Sequence, residues 1–166
     1  LGDDPFKTEG DYKRIGGETL WREVVAGTAG GDANGDGAAD PWTLVDSLDE
    51  FTALKGDDAP TRVLGIAPVA STLQGNRGTD EEKKAELPYA TPSTPGMPDL
   101  ALMLEGALNV LSKDPEGFFI MAEGGAIDWG GHGNVIGRLI EEQMDFDKAI
   151  AAVDAWVAAN SSWDET

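Results

Sequence analysis

Cysteine is absent from the 166 residues, which removes disulfide staples and thiolate metal ligands together and leaves oxygen and imidazole as the donors a metal would find. Basic residues are scarce. Twelve Lys and Arg stand against 31 Asp and Glu, a formal charge of -19. Nucleic-acid binding rests on Lys and Arg displacing counterions from phosphates, so this balance argues against it and for a carboxylate-rich, cation-attracting surface. No apolar stretch reaches the roughly 20 residues of a membrane span. The opening Leu1-Gly2-Asp3-Asp4-Pro5 has neither the basic start nor the apolar centre of a targeting peptide. What is there is 40% apolar residues in short clusters divided by Gly, Pro and Asp, enough for one domain or a large piece of one.

The clusters read as alternating helices and strands. Residues 18–26 predict a short helix with Leu20, Val24 and Trp21 on one side. Asp40-Pro41 fits an N-cap followed by proline, and Leu44, Val45, Leu48, Phe51 and Leu54 recur at helical spacing as far as Gly56, so a helix is expected over 41–55. Arg62 to Ile66 reads as a buried strand. Residues 71–98, proline-rich with a charged patch at Asp80 to Glu86, suggest a long surface excursion. A helix opening at Pro98 carries the stripe Leu100, Leu104, Ala107, Leu108 and Leu111, and Lys113-Asp114-Pro115 ends it. Gly117 to Ala122, centred on Phe118-Phe119-Ile120-Met121, is the strongest strand candidate and is expected centrally in a sheet. From Ile136 to Ala159 the residues Ile136, Leu139, Ile140, Met144, Ile150, Val153 and Val157 predict one long amphipathic helix. The order is that of an α/β protein, a layered sheet with helices, whose chemistry usually sits beyond the strands' carboxyl ends.

Directly after the last strand come Glu123, then Asp128, then His132, the sole histidine, spaced by Gly124, Gly125, Gly130 and Gly131. A carboxylate and an imidazole separated by three residues can turn toward one point and suit zinc. Glu123, a hard oxygen donor, better suits magnesium. The glycines allow close backbone approach and positive φ. The alternative is a glycine-rich turn whose Asp caps the next helix and whose His is merely exposed. The run Gly117-Phe-Phe-Ile-Met-Ala-Glu-Gly-Gly-Ala-Ile-Asp-Trp-Gly-Gly-His132, continuing through Glu141-Glu142 and Asp147-Lys148-Ala149-Ile150, resembles the alkaline phosphatase block G-F-F-L-M-V-E-G-G-x-I-D-x-G-x-H. The helix from Pro98 to Lys113 resembles the one that leads into it.

The resemblance implies an incomplete, alkaline-phosphatase-like α/β fold, with a variable region over residues 1–97 and the family's core over 98–166. It implies Glu123 as a magnesium ligand and Asp128 and His132 as two ligands of a zinc, with Trp129 lining the phosphate pocket or simply packing beside the glycine loop. The implied activity is two-zinc, magnesium-supported hydrolysis of small phosphate monoesters through a phosphoserine, in a secreted or periplasmic protein for which a homodimer is possible. The family's Asp-Ser-Ala nucleophile, second Asp-His pair and further histidine have no counterpart here. Asp46-Ser47 is a superficial echo whose serine is expected mid-helix. Both ends are therefore expected to be cuts within a longer protein, and this piece alone is expected to be inactive.

Asp32-Ala-Asn34-Gly-Asp36-Gly-Ala38-Ala-Asp40 fits a calcium-loop pattern, with oxygens at alternate positions and the Ala38 carbonyl as a further ligand. Thr43 replaces the closing glutamate of an EF-hand, and Asp40 has the alternative task of capping a helix. An acidic turn is the other reading. The rivals to a phosphatase are a related phosphodiesterase, mutase or sulfatase, and a non-enzymatic calcium-stabilised module.

Overall fold

The computed structural model describes residues 12–69, 71–75 and 86–166. After a 3-10 turn at Tyr12–Arg14, α1 spans Glu18–Val25 and buries Val24 alone. Strands β1 (Thr43–Val45) and β2 (Val63–Gly65) pair in parallel, with Thr43 opposite Val63 and Val45 opposite Gly65. Helix α2 (Leu48–Ala53) connects them, so the three form a short βαβ unit. Among the described residues three more helices follow: α3 (Leu100–Leu111), α4 (Ala126–His132) and α5 (Ile136–Asn160).

The helix expected over 41–55 divides into β1 and α2. Ser47, expected mid-helix, is instead the N-cap, in extended conformation. Its Oγ accepts from the Glu50 amide at 3.4 Å, while Glu50 Oε2 accepts from the Ser47 and Asp46 amides, each at 3.0 Å. Those hydrogen bonds hold the Glu50 carboxyl below its usual range. This capping box starts a helix at Leu48 and releases Thr43–Val45 to pair with β2, where the β-branched ends fit a pleated surface. β2 is half-buried and ends on the exposed Gly65, so it is less enclosed than expected.

Helix α3 is the hub. Asp99 caps it, accepting from the Leu102 amide at 2.9 Å, with Pro98 buried just before. Its Val110 joins Val45, Phe51, Leu54 and Ala59 in one apolar cluster, and its Leu104 and Leu108 join Ala149 of α5 in a second. Gly106 lets α2 approach: a Cβ there would stand 2.9 Å from Leu54 Cβ.

Residues 117–122 adopt no strand. Their side chains alternate as a strand's would. Phe118 meets Trp156 edge-to-face at 5.8 Å and Ile120 joins the second cluster, while Phe119 and Met121 are exposed. Among the described residues their backbone has no ladder partner, and a strand exists only through a ladder. The segment packs by side chains across α3 and α5 instead.

Helix α5 inverts the expectation over its first half. Ile136, Ile140 and Met144 are exposed, whereas Arg138, Glu141, Glu142 and Asp145 are buried. The described parts of 71–98 run largely exposed, as expected, with Leu87 and Tyr89 among the exposed side chains, but Thr72, Glu86 and Tyr89 also bond to this polar face. Arg138 Nη2 meets Glu86 Oε2 at 2.5 Å and its Nη1 meets Glu141 Oε1 at 3.0 Å. The Tyr89 amide donates to Glu141 Oε1 at 2.7 Å, and Thr72 Oγ1 donates to Glu142. Most of the charged patch, residues 80–85, lies outside the described residues; Glu86 is its described member.

Candidate metal centre

Glycine decides the local path of the metal block. Gly125 leads into α4 with helical dihedrals, and none of Gly124, Gly125, Gly130 or Gly131 takes the positive φ that the sequence suggested. Gly124 and Gly130 instead allow close packing, against Phe146 and Leu139. The end of α4 is closed by Asn134 at φ 52, with the Val135 amide donating to the Gly130 carbonyl at 2.9 Å and the Asn134 amide to that of Gly131 at 3.1 Å. This is a Schellman turn, in which a left-handed residue satisfies the last helical carbonyls.

Asp128 and His132 stand one turn apart on α4. Their side chains are 70% and 82% exposed, and Oδ1 of Asp128 lies 3.4 Å from Nε2 of His132. The carboxylate is in the first turn and the imidazole in the last. As a donor set the pair fits zinc, but it is two ligands where catalytic zinc ordinarily has three from protein. Trp129, between them, is 61% exposed.

Glu123 is exposed and stands apart from the pair in the chain's path. It lines a cavity of about 250 Å³ together with Thr72, Asp99, Glu142 and Asp145. Burial raises the Asp145 carboxyl above its usual range, opposed by a 3.5 Å hydrogen bond from the Leu100 amide and reinforced by Asp99. Among the described residues no three His, Cys, Asp or Glu side chains stand close enough together to hold a metal ion. The structure thus unites Asp128 with His132 and leaves Glu123 separate. The sequence reading missed the buried carboxylates, although Arg138, Glu141, Glu142 and Asp145 recur at helical spacing and formed a legible second stripe.

In the Asp32–Asp40 loop the side-chain oxygens serve the backbone. Asp32 accepts from the Gly35, Asp36 and Gly37 amides at 2.6, 3.1 and 2.9 Å. Asn34 accepts from Asp36, and Asp36 from Ala38, at 2.9 and 2.8 Å. Asp40 caps no helix; its carboxylate accepts from Ala33 at 2.8 Å and so closes the loop. In these bonds Asx side chains replace secondary structure as backbone partners.

A family model described as alkaline phosphatase matches residues 3–162. Alkaline phosphatase 3 of Bacillus subtilis (strain 168) is 44% identical over 69 residues, 41% of this chain and 15% of that protein. Alkaline phosphatase H of Pseudomonas aeruginosa (strain UCBPP-PA14) is 30% identical over 168 residues, 93% of this chain and 34% of the relative. The tissue-nonspecific isozyme of Felis catus is 37% identical over 65 residues, 39% of this chain and 12% of the isozyme. The chain therefore spans about a third of the length of one of these relatives and less of the other two.

Proposed function

The chain belongs to the alkaline phosphatase family, and we propose that it contributes part of the metal centre of an enzyme that hydrolyses phosphate monoesters. The observation that carries this reading is the Asp128–His132 pair, exposed on α4 with carboxylate and imidazole facing at 3.4 Å, in a chain matched to the family over residues 3–162. Asp128 and His132 would hold zinc, and Glu123 magnesium. Zinc there would supply Lewis acidity toward a phosphoryl oxygen. Trp129 would border the phosphate pocket, excluding water on one side of the site.

In this reading residues 98–166 carry the family's core and 1–97 a variable region. The serine that becomes phosphorylated is a residue other than Ser47, whose hydroxyl is engaged at the start of α2 by Glu50. This chain by itself does not turn over esters. The longer protein acts on small monoesters, outside the cytoplasm, and a homodimer suits it. Among the described residues no helix is long and apolar enough to cross a membrane. In this reading the Asp32–Asp40 loop is not part of the metal centre.

The test has two arms. Zinc added to the chain should shift the ring signals of His132, and Asp128→Ala should weaken that response roughly ten-fold or more, the scale on which metal sites depend on individual groups. In a polypeptide carrying this chain with its gene's flanking sequence, Asp128→Ala should abolish zinc-dependent hydrolysis of p-nitrophenyl phosphate. A diester turned over faster than the monoester would move the assignment to a phosphodiesterase. Hydrolysis indifferent to Asp128 would end it.

A further inference from the structure

Helix α4 is too short to hold itself together. It has seven residues, of which Gly130 and Gly131 are poor helix formers, and isolated helices below roughly 12–15 residues are marginal in water. Yet Asp128 faces His132 only while the turn between them is formed. The element that α4 packs against extensively is α5, and the contact is closest at Gly130. A Cβ on Gly130 would stand 2.9 Å from Leu139 Cα and 3.0 Å from its N and Cβ. Two of those atoms are backbone, which cannot swing aside as a side-chain tip can. Gly131, the next residue, differs: its Cβ would meet only Leu139 Cδ1, at an ordinary 3.7 Å. The Asn134 turn fixes the reversal between the two helices, and it too is anchored on Gly130, through the carbonyl that accepts from Val135.

Resting on the reading of Asp128 and His132 as zinc ligands, we infer that Gly130 is a positioning residue for that pair. Its missing side chain lets α4 dock on Leu139, and docking maintains the turn that brings carboxylate and imidazole together. Helix propensity alone predicts otherwise, because alanine at either glycine would strengthen α4. Docking predicts a loss at Gly130 and none at Gly131 for neighbouring, chemically identical substitutions.

The experiment compares Gly130→Ala with Gly131→Ala in this chain. Zinc alone is titrated against the ring signals of His132, the sole histidine, and amide hydrogen exchange across α4 is measured without metal. Gly130→Ala should bind zinc roughly ten-fold more weakly or worse, the scale seen when groups that orient metal ligands are lost, and α4 should lose exchange protection. Gly131→Ala should keep both. Native zinc affinity and protection in a folded Gly130→Ala chain would overturn the inference, as would equal losses in both variants. If Gly130→Ala does not fold, Asn134→Val, strained at positive φ, and Asn134→Gly, relaxed there, make the same comparison, with loss expected in the first only. A native chain whose His132 ignores zinc would sink the ligand reading, while the exchange pattern would still decide whether Gly130 holds α4 in place.

Discussion

Replacing Arg138 with methionine should destabilise the folded chain by about 3–5 kcal/mol, the usual result of removing one partner from a buried ion pair. Exposure decides the magnitude. The Arg138 side chain is 5% exposed, and its partners Glu141 and Glu86 are 0% and 13% exposed, whereas an exposed pair would contribute about 1 kcal/mol at most. Loss of the guanidinium removes a buried cation from beside two largely buried carboxylates, that of Glu141 also accepting from the Tyr89 amide. For a chain of this size the effect corresponds to a fall in Tm of roughly 6–20 °C. Urea unfolding followed by far-UV circular dichroism measures it directly. Arg138→Lys should fall between, because an ammonium cannot serve both carboxylates with the geometry of a planar fork. Converting Arg138, Glu141 and Glu86 together to methionine should recover much of the loss, since apolar side chains in place of a buried charge cluster remove its desolvation cost together with its attraction. A loss below about 1 kcal/mol for Arg138→Met would refute the reasoning and mean that water reaches the cluster.

Ser47→Ala removes the cap of α2 and should lower stability by about 1 kcal/mol in the same urea assay; an unchanged midpoint would show that the Glu50 carboxylate alone starts the helix. Asp145 has a folded pKa raised by burial, so its favourable contribution is complete below the unfolded carboxylate value and is lost as pH rises through the folded one. Asp145→Asn should therefore gain on the native chain between acid pH and neutrality, and a stability difference independent of pH would contradict this. Trp129→Ala, in a polypeptide active on p-nitrophenyl phosphate, should raise KM while leaving the melting temperature unchanged; a lowered melting temperature with native KM would return Trp129 to a packing role.

By itself the sequence determined the family, through the residues from Gly117 to His132, and it located α1, β2, α3 and α5, because strong periodicity and Gly or Pro boundaries are local signals. It also contained the Ser47-x-x-Glu50 capping box that divides β1 from α2, a cue outweighed by helical spacing running through both. Tertiary structure alone decided the rest. Hydropathy names two stripes on α5 but not which one meets a partner, and the polar stripe is buried because Glu86, Tyr89 and Thr72 supply its counter-charge and hydrogen bonds. Residues 117–122 alternate like a strand, yet strand formation depends on a neighbouring backbone that pattern cannot specify. The facing of Asp128 and His132 is likewise non-local: their spacing permits it, but a seven-residue helix holds that spacing only where Leu139 leaves room for it to dock.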